Sequence, residues 1–333
     1  MMPVGITAIG AVTAVGEDAP ATVGSIYTEA EAFRCLSSAG RETLAGALTP
    51  LGAELTGTDR LAALAAYALR EATAGVVSGN EIGLVVCAPA EDFNDEPGPE
   101  NSFLDRLAAD AGILVEQRSR RLFAGGPAAT VEALSFARQT LYSRDLPAVC
   151  VLGVDSLCTQ PQLGRLLRER TPESEPFAPG EAAVALLLTR DLGPDALAIL
   201  AGVGVSSREA AAIHPNTAKG SASAIEEAFA DAELPRAPLS ALVHDLPATQ
   251  AGDEELAWLR AGAFTAAPGI CVLTPASSAG VTGAASGILS MASLAFLLAQ
   301  KEVLGTGACL FSATNGVRGA SVLRHSRGNG FRE

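Results

Sequence analysis

The feature that most constrains the fold of this chain is an order of strands and helices that occurs twice, once in each half. Short apolar segments alternate with alanine-rich helical segments, which is typical of layered α/β proteins. The duplication predicts two pseudo-symmetric halves, 1–190 and 195–333, joined near Asp191–Pro194. Two ordinary doubly wound domains are the alternative. The predicted strands are 4–12, 82–87, 148–154 and 182–188, then 197–205, 241–244, 270–273, 308–311 and 320–323.

The composition indicates a large core built from small side chains. Hydrophobic residues make up 48% of the 333 residues, charged residues 18% and aromatic residues only 5%. This composition excludes disorder, and the scarcity of aromatic residues favours helices packed closely on strands. The formal net charge is -14 and the best basic cluster is Arg118–Arg121, which we interpret as a solvated loop. We therefore expect no nucleic-acid partner.

The sequence also bounds the compartment and the cofactors. Met1–Thr7 has neither a basic region nor a long apolar region, so we expect no secretory signal. No apolar run free of turn residues is long enough to span a bilayer. The six cysteines form no zinc or disulfide motif, and Cys87, Cys150, Cys271 and Cys309 lie in apolar strand-like segments. We expect a cytoplasmic protein without metal, cofactor or membrane contact.

Two helix starts can be placed from the residues alone. Asp59 is well placed as the N-cap of an amphipathic helix that runs to Leu69. Gly125 and Gly126 form a turn from which a second helix starts, with Pro127 as its first residue. Proline suits that position because its missing N–H is not needed there and its φ is preset for helix.

That turn and several other segments resemble the β-ketoacyl synthases. Ala124–Leu134 is similar to the sharp turn and buried helix that present the family's nucleophile, and Gly153–Asp155 resembles its Gly-Gly-Val-Asp strand end. Further segments match in the family's order: Ile6–Gly16, Gly180–Leu188 and Gly283–Gly287. The resemblance implies a thiolase-like αβαβα layered fold built from two pseudo-symmetric halves.

The resemblance fails at the catalytic positions. The family uses a Cys nucleophile, two His residues and a supporting Lys. In this sequence the Cys, first His, second His and Lys positions fall on Pro127, Asp245, Gly280 and Pro275. A shift of one residue would put His244 at the first His position. The family's glycine-rich Phe segment reads Asn315–Arg318, without its aromatic residue. Without a thiol, condensation is not expected.

The leading hypothesis is a non-catalytic ketosynthase-like subunit that resembles a chain length factor of polyketide or fatty-acid-type biosynthesis. The resemblance implies a heterodimer with an active ketosynthase, or a homodimer, formed by extending the sheet through Glu81–Cys87 or its neighbours. Because the chain is acidic, we expect an acyl carrier protein to dock on the partner. Phe93, Phe103 and Leu104 are expected to reach the partner's acyl tunnel. A surface loop with incidental apolar residues is the alternative for that segment.

Two other functions stay open. An acyltransferase or thioester hydrolase on the same fold could use Ser277 or Ser278 as nucleophile, with His244 and Asp245 supplying a base. Adjacent serines before a helix are more commonly turn caps. A scaffolding protein without an acyl substrate is the third possibility. In an emptied site, we expect Asp245 to be solvated or hydrogen-bonded to backbone N–H groups.

Overall fold

The computed structural model describes residues 2–38, 42–50, 54–76, 79–89, 99–169, 178–206, 217–234, 238–246, 249–263, 266–312 and 316–326. The strands are β1 Val4–Thr13, β2 Arg34–Ser38, β3 Glu42–Gly46, β4 Glu81–Ala88, β5 Leu114–Ala124, β6 Val149–Ser156, β7 Glu181–Thr189, β8 Ala198–Val205, β9 Leu239–His244, β10 Ala266–Leu273, β11 Thr306–Ser312 and β12 Arg318–Arg324. The helices are α1 Ala19–Tyr27, α2 Gly57–Thr73, α3 Pro99–Ala111, α4 Ala129–Ser143, α5 Gln160–Glu169, α6 Thr217–Asp231, α7 Gln250–Trp258, α8 Ala276–Ala279 and α9 Ser286–Gln300.

The strand order repeats between the halves. The large sheet runs β10-β9-β11-β12-β8-β1-β7-β6-β4-β5, while β2 and β3 form a separate hairpin. Within each set of five strands the third strand lies at the edge, followed by the second, fourth, fifth and first. The pairing directions also match, with two parallel pairs and then two antiparallel pairs. The thiolase-like fold prediction is confirmed, whereas the domain limits at 190 and 195 stay a prediction.

Three hydrophobic clusters correspond to three helix layers. Helices α2 and α3 cover the outer side of the first five strands, and α6 and α7 cover the outer side of the second five. Helices α4 and α9 form the central layer and contact strands of both halves. One stretch, Gly283–Gln300, is by length and composition apolar enough to cross a membrane, but 78% of it is buried inside the protein. Its place in the central layer accounts for its apolar composition.

Glycine in the first strand of each half lets a helix lie directly on the sheet. A Cβ on Gly10 would lie 2.0 Å from the carbonyl oxygen of Ala68 in α2, and a Cβ on Gly202 would lie 2.1 Å from that of Ala228 in α6. No side chain fits at such distances. The same packing solution therefore occurs at matching places in β1 and β8.

In each half, a carboxylate on the same helix also accepts a hydrogen bond from the backbone of that strand. Glu71 of α2 accepts a hydrogen bond from the Ala11 N–H at 2.9 Å, directly after Gly10 in the chain. Asp231 of α6 accepts one from the Val203 N–H at 3.0 Å, directly after Gly202. The duplication thus extends from strand order to individual hydrogen bonds.

All nine predicted strands occur, with ends shifted by a few residues. The prediction missed three strands, namely β2, β3 and β5. Arg118–Arg121, interpreted above as a solvated loop, lies within β5. This strand was missed because its charged residues mask the apolar alternation; charge is common on a strand at the edge of a sheet.

Two helix starts differ from the prediction. Thr56, not Asp59, is the N-cap of α2, and Asp59 lies in the first turn of that helix. Pro127 precedes the N-cap Ala128 and the start of α4 at Ala129. The turn around Pro127 therefore leads into the helix without being part of it.

The expected interface elements also need correction. β4 is paired on both sides, with β5 and with β6, so the segment Glu81–Cys87 has no free edge to extend. Among the described strands, the outer edge of the first half belongs to its neighbour β5. Phe103 and Leu104 are only 5% and 3% exposed and pack into the chain's own core beneath α3, so they are not available to a partner in this conformation. Phe93 lies outside the described residues.

Candidate functional site

Pro127, which the resemblance aligns with the family's nucleophile, lies in a hydrogen-bonded turn at the start of α4. The Gly125 N–H donates to the Ala88 carbonyl at 3.0 Å, and the Thr130 N–H donates to the Pro127 carbonyl at 3.1 Å. A Cβ on Gly287 would lie 3.1 Å from the Pro127 carbonyl oxygen, so α9 packs directly on this turn. Proline carries no group that can be acylated, and the turn therefore offers no nucleophile.

No buried cysteine compensates for the missing thiol. Burial raises the pKa of the thiols of Cys87, Cys150 and Cys158 to about 12, and it raises that of Cys309 as well. A thiol with such a pKa is not a thiolate near neutral pH, so these residues act as small hydrophobic side chains. Cys271, which is half-buried in β10, also has a raised pKa.

Gly280, which the resemblance aligns with the second His, is a structural glycine. Its φ is 71°, in the region that favours glycine, and it ends α8. A Cβ there would lie 2.9 Å from the Pro179 carbonyl oxygen and 2.9 Å from the Gly180 Cα. Histidine would need a shift of that backbone as well as a strained φ. Pro275, at the Lys position, is buried and is the N-cap residue of α8.

His244 meets a hydroxyl at the carboxyl ends of β9 and β10. Val243 and Leu273 are the last paired residues of these parallel strands, so His244 and Thr274 follow side by side. His244 Nε2 and Thr274 Oγ1 lie 3.1 Å apart, within hydrogen-bond distance. Carboxyl ends of parallel strands are where α/β folds place ligand-binding groups.

His244 is buried and neutral near physiological pH. The residue is 5% exposed, and no described residue is a hydrogen-bond partner of its Nδ1. Burial lowers the pKa of His244 to about 4, although the charges of Glu255 and Asp253 act in the opposite direction. A neutral imidazole can accept a proton at one ring nitrogen, so His244 can act as a base.

Asp245, directly after β9, is hydrogen-bonded to the end of β11, on the side of β9 opposite β10. Its Oδ1 accepts a hydrogen bond from the Ser312 N–H at 2.7 Å, as expected for an aspartate bonded to backbone. Its Oδ2 is buried and has no hydrogen-bond partner among the described residues. Burial raises the pKa of Asp245 to about 7, while Ser312 and the Arg318 charge lower it. Asp245 is therefore partly protonated at neutral pH.

The structure does not bring the two predicted serines to His244. The Ser277 hydroxyl donates to the Thr274 carbonyl at 2.7 Å, which is the turn-capping role named above as the more common one. Ser278 is fully buried, and its hydroxyl has no partner among the described residues. Thr274 was not predicted as a site residue. A signal was present, because Thr274 is the first polar residue after the predicted strand 270–273 and His244 is the last residue of the predicted strand 241–244.

Two buried ion pairs flank the site, each at the start of the fifth strand of its half. Glu181 begins β7 and accepts hydrogen bonds from the Arg60 guanidinium, the Thr49 N–H at 2.8 Å and the Ser156 hydroxyl at 2.6 Å. Arg318 begins β12 and donates twice to Glu255, at 3.0 Å each. Glu181 lies in Gly180–Leu188, a segment that resembles the family, so the sequence pointed to this residue. Nothing in the sequence indicated its partner, Arg60.

A third carboxylate links the two halves. Asp155, at the end of β6, accepts from the Ser156 N–H and from the Ala284 N–H, both at 2.7 Å. A Cβ on Gly283 would overlap its Oδ2, at 2.0 Å. Within the described ranges, no group of three or more His, Cys, Asp or Glu side chains could hold a metal ion.

Comparisons with known proteins identify the fold but not a close relative. No protein-family model matches the sequence. No curated protein matches it either. Solved structures, in contrast, match along nearly the whole chain.

Three of these solved structures contain ketosynthases or chain length factors. The ishigamide ketosynthase/chain length factor has a TM-score of 0.76 at 16% identity, covering 97% of this chain and 99% of that chain. The PfaC keto synthase-chain length factor has a TM-score of 0.75 at 13% identity, covering 98% of this chain and 43% of that one. AntDE:AntF, a type II acyl-carrier protein in complex with its ketosynthase, has a TM-score of 0.73 at 15% identity, covering 97% and 99%. The chain has the thiolase-like fold of ketosynthases and chain length factors.

On this ketosynthase-like fold, the two halves contribute differently to the candidate site. The first half contributes Pro127 and a packed turn, which can do no covalent chemistry. The second half contributes a neutral base, His244, a hydroxyl, Thr274, and a partly protonated acid, Asp245. Asn315 lies outside the described residues.

Proposed function

We propose that this chain is a ketosynthase-like subunit that performs no condensation and acts as a chain length factor. The observation that carries the proposal is the pair Pro127 and Gly280. Pro127 has no nucleophile, and the backbone at 179–180 leaves no room for a side chain at Gly280. Both positions are occupied by residues that stabilise a turn, so the scaffold is kept while the reagents are absent.

The free edge of β5 supports pairing with a second ketosynthase-like subunit. β5 runs for 11 residues at the end of the large sheet, and its outer N–H and C=O groups could pair with a strand of a partner. Arg121 and Phe123 of β5 and Phe136 of α4 define an aromatic edge patch. The Arg121 guanidinium lies 5.0 Å from the Phe123 ring centre and 5.4 Å from that of Phe136. Arginine and aromatic residues are enriched at interfaces.

The proposed partner is an active ketosynthase, and the acyl carrier protein is proposed to dock on that partner. The solved structures support this, since one of them is a ketosynthase/chain length factor and another is a carrier protein in complex with its ketosynthase. The net charge of -14 on this chain would repel an acidic carrier protein. In the pair, this chain would help to shape the acyl tunnel.

The test is co-expression of this chain with a ketosynthase from the same genome whose Cys, two His and Lys are intact. We expect the two chains to co-purify and the products to depend on the partner's Cys. Phe136→Ala should weaken the pair about thirtyfold or more, because an aromatic interface anchor contributes about 2 kcal/mol or more. Tyr67→Ala, on α2 and 45% exposed, is the matched control and should leave the pair intact.

Two results would contradict the proposal. One is a chain that stays a monomer beside every such ketosynthase and leaves the product profile unchanged. The other is a covalent acyl adduct within Gly125–Ala129, found by intact mass spectrometry and peptide mapping after incubation with an acyl-carrier thioester.

A further inference from the structure

The His244–Thr274 contact is a difference between the halves that packing does not require. At the corresponding strand ends of the first half, β4 and β5 end on the paired residues Ala88 and Ala124. Two alanines are enough there to close the sheet edge. The second half instead keeps a buried imidazole bonded to a hydroxyl at 3.1 Å, with no described partner for Nδ1. An unsatisfied buried polar atom costs about 1–3 kcal/mol, so its retention needs a reason.

We propose that Thr274 is a nucleophile and His244 its general base, and that together they take an acyl group from a thioester. This inference does not rest on the proposed pairing with a ketosynthase. A nucleophile and a base within hydrogen-bond reach are the minimal arrangement for acyl transfer through a covalent intermediate. Thr274 is partly exposed, whereas the His244 ring is buried behind it.

The chemistry balances without any further reagent. Thr274 Oγ1 attacks the carbonyl carbon of the thioester, and its proton passes to His244 Nε2. The new C–O bond forms as the C–S bond breaks, and the proton then passes from His244 to the departing thiolate. The products are an acyl ester on Thr274 and a free thiol.

The chemistry of the leaving group selects the class of acyl donor. Burial lowers the pKa of His244 to about 4, so the imidazole is neutral but a weak base, and the donor must supply a good leaving group of its own. A thiolate leaves far more readily than the alkoxide of an ester or the amine of an amide. The charged groups that act on His244 are Glu255 and Asp253; Asp245 is its chain neighbour, and Glu255 is itself paired with Arg318.

The experiment incubates the full chain with octanoyl-coenzyme A in one arm and with an octanoyl-acyl carrier protein in the other. Thiol release and the mass of the chain are measured, and the acylated peptide is sequenced. We expect thiol release in at least one arm, with the acyl group on Thr274 or rapidly hydrolysed from it. The arm that reacts faster identifies whether coenzyme A or the carrier protein supplies the thioester.

Variants separate chemistry from structure. Thr274→Val and His244→Gln should lower the rate of thiol release about a hundredfold or more, the usual contribution of a nucleophile or a general base. Thr274→Ser should retain the reaction, because it keeps the hydroxyl that Thr274→Val removes. Ser277→Ala removes a hydroxyl from the same turn and should react like the parent chain.

Three outcomes would overturn the proposal. The first is a folded parent chain that releases no thiol above the buffer rate in either arm. The second is an acyl group mapped to Ser277, Ser278 or the exposed Cys35. The third is a Thr274→Val chain that reacts as fast as the parent.

Discussion

The two halves of this protein share their strand order and their helix packing, but they differ at the carboxyl ends of their parallel strands. In the first half those ends carry alanines and a proline turn, and Asp155 there is satisfied by backbone N–H groups. In the second half they carry His244, Thr274 and Asp245, and two buried atoms of these residues have no described partner. The two halves thus share their scaffold, whereas an imidazole in contact with a hydroxyl lies at these strand ends in the second half.

The ion pairs show the same scaffold with the charges exchanged. The fifth strand starts with a buried glutamate in the first half and with a buried arginine in the second, and each is paired with the opposite charge on an outer helix. Both halves therefore have a buried charge with a counter-charge at the start of the fifth strand, although the sign of that charge differs. A buried pair stabilises only while both partners are present.

Removing one partner of each ion pair should give the largest effect. Arg60→Leu leaves Glu181, which is fully buried, without its counter-charge, and should lower the free energy of unfolding by about 3–5 kcal/mol. Arg318→Leu should cost slightly less, because Glu255 is 4% exposed and could regain some water. Urea unfolding measures both. The double variant Arg60→Leu, Glu181→Leu should recover part of the loss; a loss larger than that of Arg60→Leu alone would contradict this account.

The next largest effect is expected when the two matching glycines, Gly10 and Gly202, are replaced by alanine. Gly10→Ala and Gly202→Ala place a Cβ 2.0 Å and 2.1 Å from a helix carbonyl oxygen. Each variant should lower the free energy of unfolding by about 2–3 kcal/mol. Thermal unfolding of both variants tests whether the halves are energetically equivalent here. Gly24→Ala in α1, whose Cβ meets nothing within 4 Å, is the control and should be neutral or stabilising. Effects that differ by more than about threefold would break the comparison.

The pH dependence of stability should come in part from the second half's site. The folded pKa of Asp245, about 7, exceeds its usual 3.8, so its contribution falls as pH rises from 4 to 7. The folded pKa of His244, about 4, is below its usual 6.5, so its contribution is full above pH 6.5 and is lost as pH falls towards 4. These trends oppose each other in the parent chain.

Single variants should therefore expose opposite slopes. Relative to the parent, Asp245→Asn should gain stability as pH rises from 4 to 7, by about 1 kcal/mol per pH unit. As pH rises from 4 to 6.5, His244→Gln should lose stability relative to the parent, also by about 1 kcal/mol per pH unit. Urea unfolding at several pH values measures both slopes. Two variants with the same slope as the parent would show that neither group titrates as its burial implies.

The smallest effect is expected in the turn between β10 and α8. Ser277→Ala removes one exposed hydrogen bond to the Thr274 carbonyl and should lower stability by about 0.5–1 kcal/mol. Thermal unfolding measures this loss. A loss above about 2 kcal/mol would mean that Ser277 does more than cap its turn.

Much of the fold follows from local patterns, because a continuous apolar run such as 182–188 is typical of a strand buried on both faces of a sheet. β5 escaped prediction because Arg118, Arg120 and Arg121 interrupt its apolar pattern. Edge strands tolerate such charges, and only the sheet order shows that β5 is an edge. The burial of Phe103 and Leu104 was likewise decided by α3 packing on α2.

The sequence by itself predicted that the family's thiol, second histidine and lysine are absent, since alignment of the turn and glycine segments puts Pro127, Gly280 and Pro275 at those positions. Only the tertiary structure decided which groups meet in their place. His244 and Thr274 are 30 residues apart in the chain and become neighbours because β9 and β10 are parallel and end together. Sequence patterns report which face of a strand is apolar, whereas the register between distant strands sets the distances on which chemistry depends.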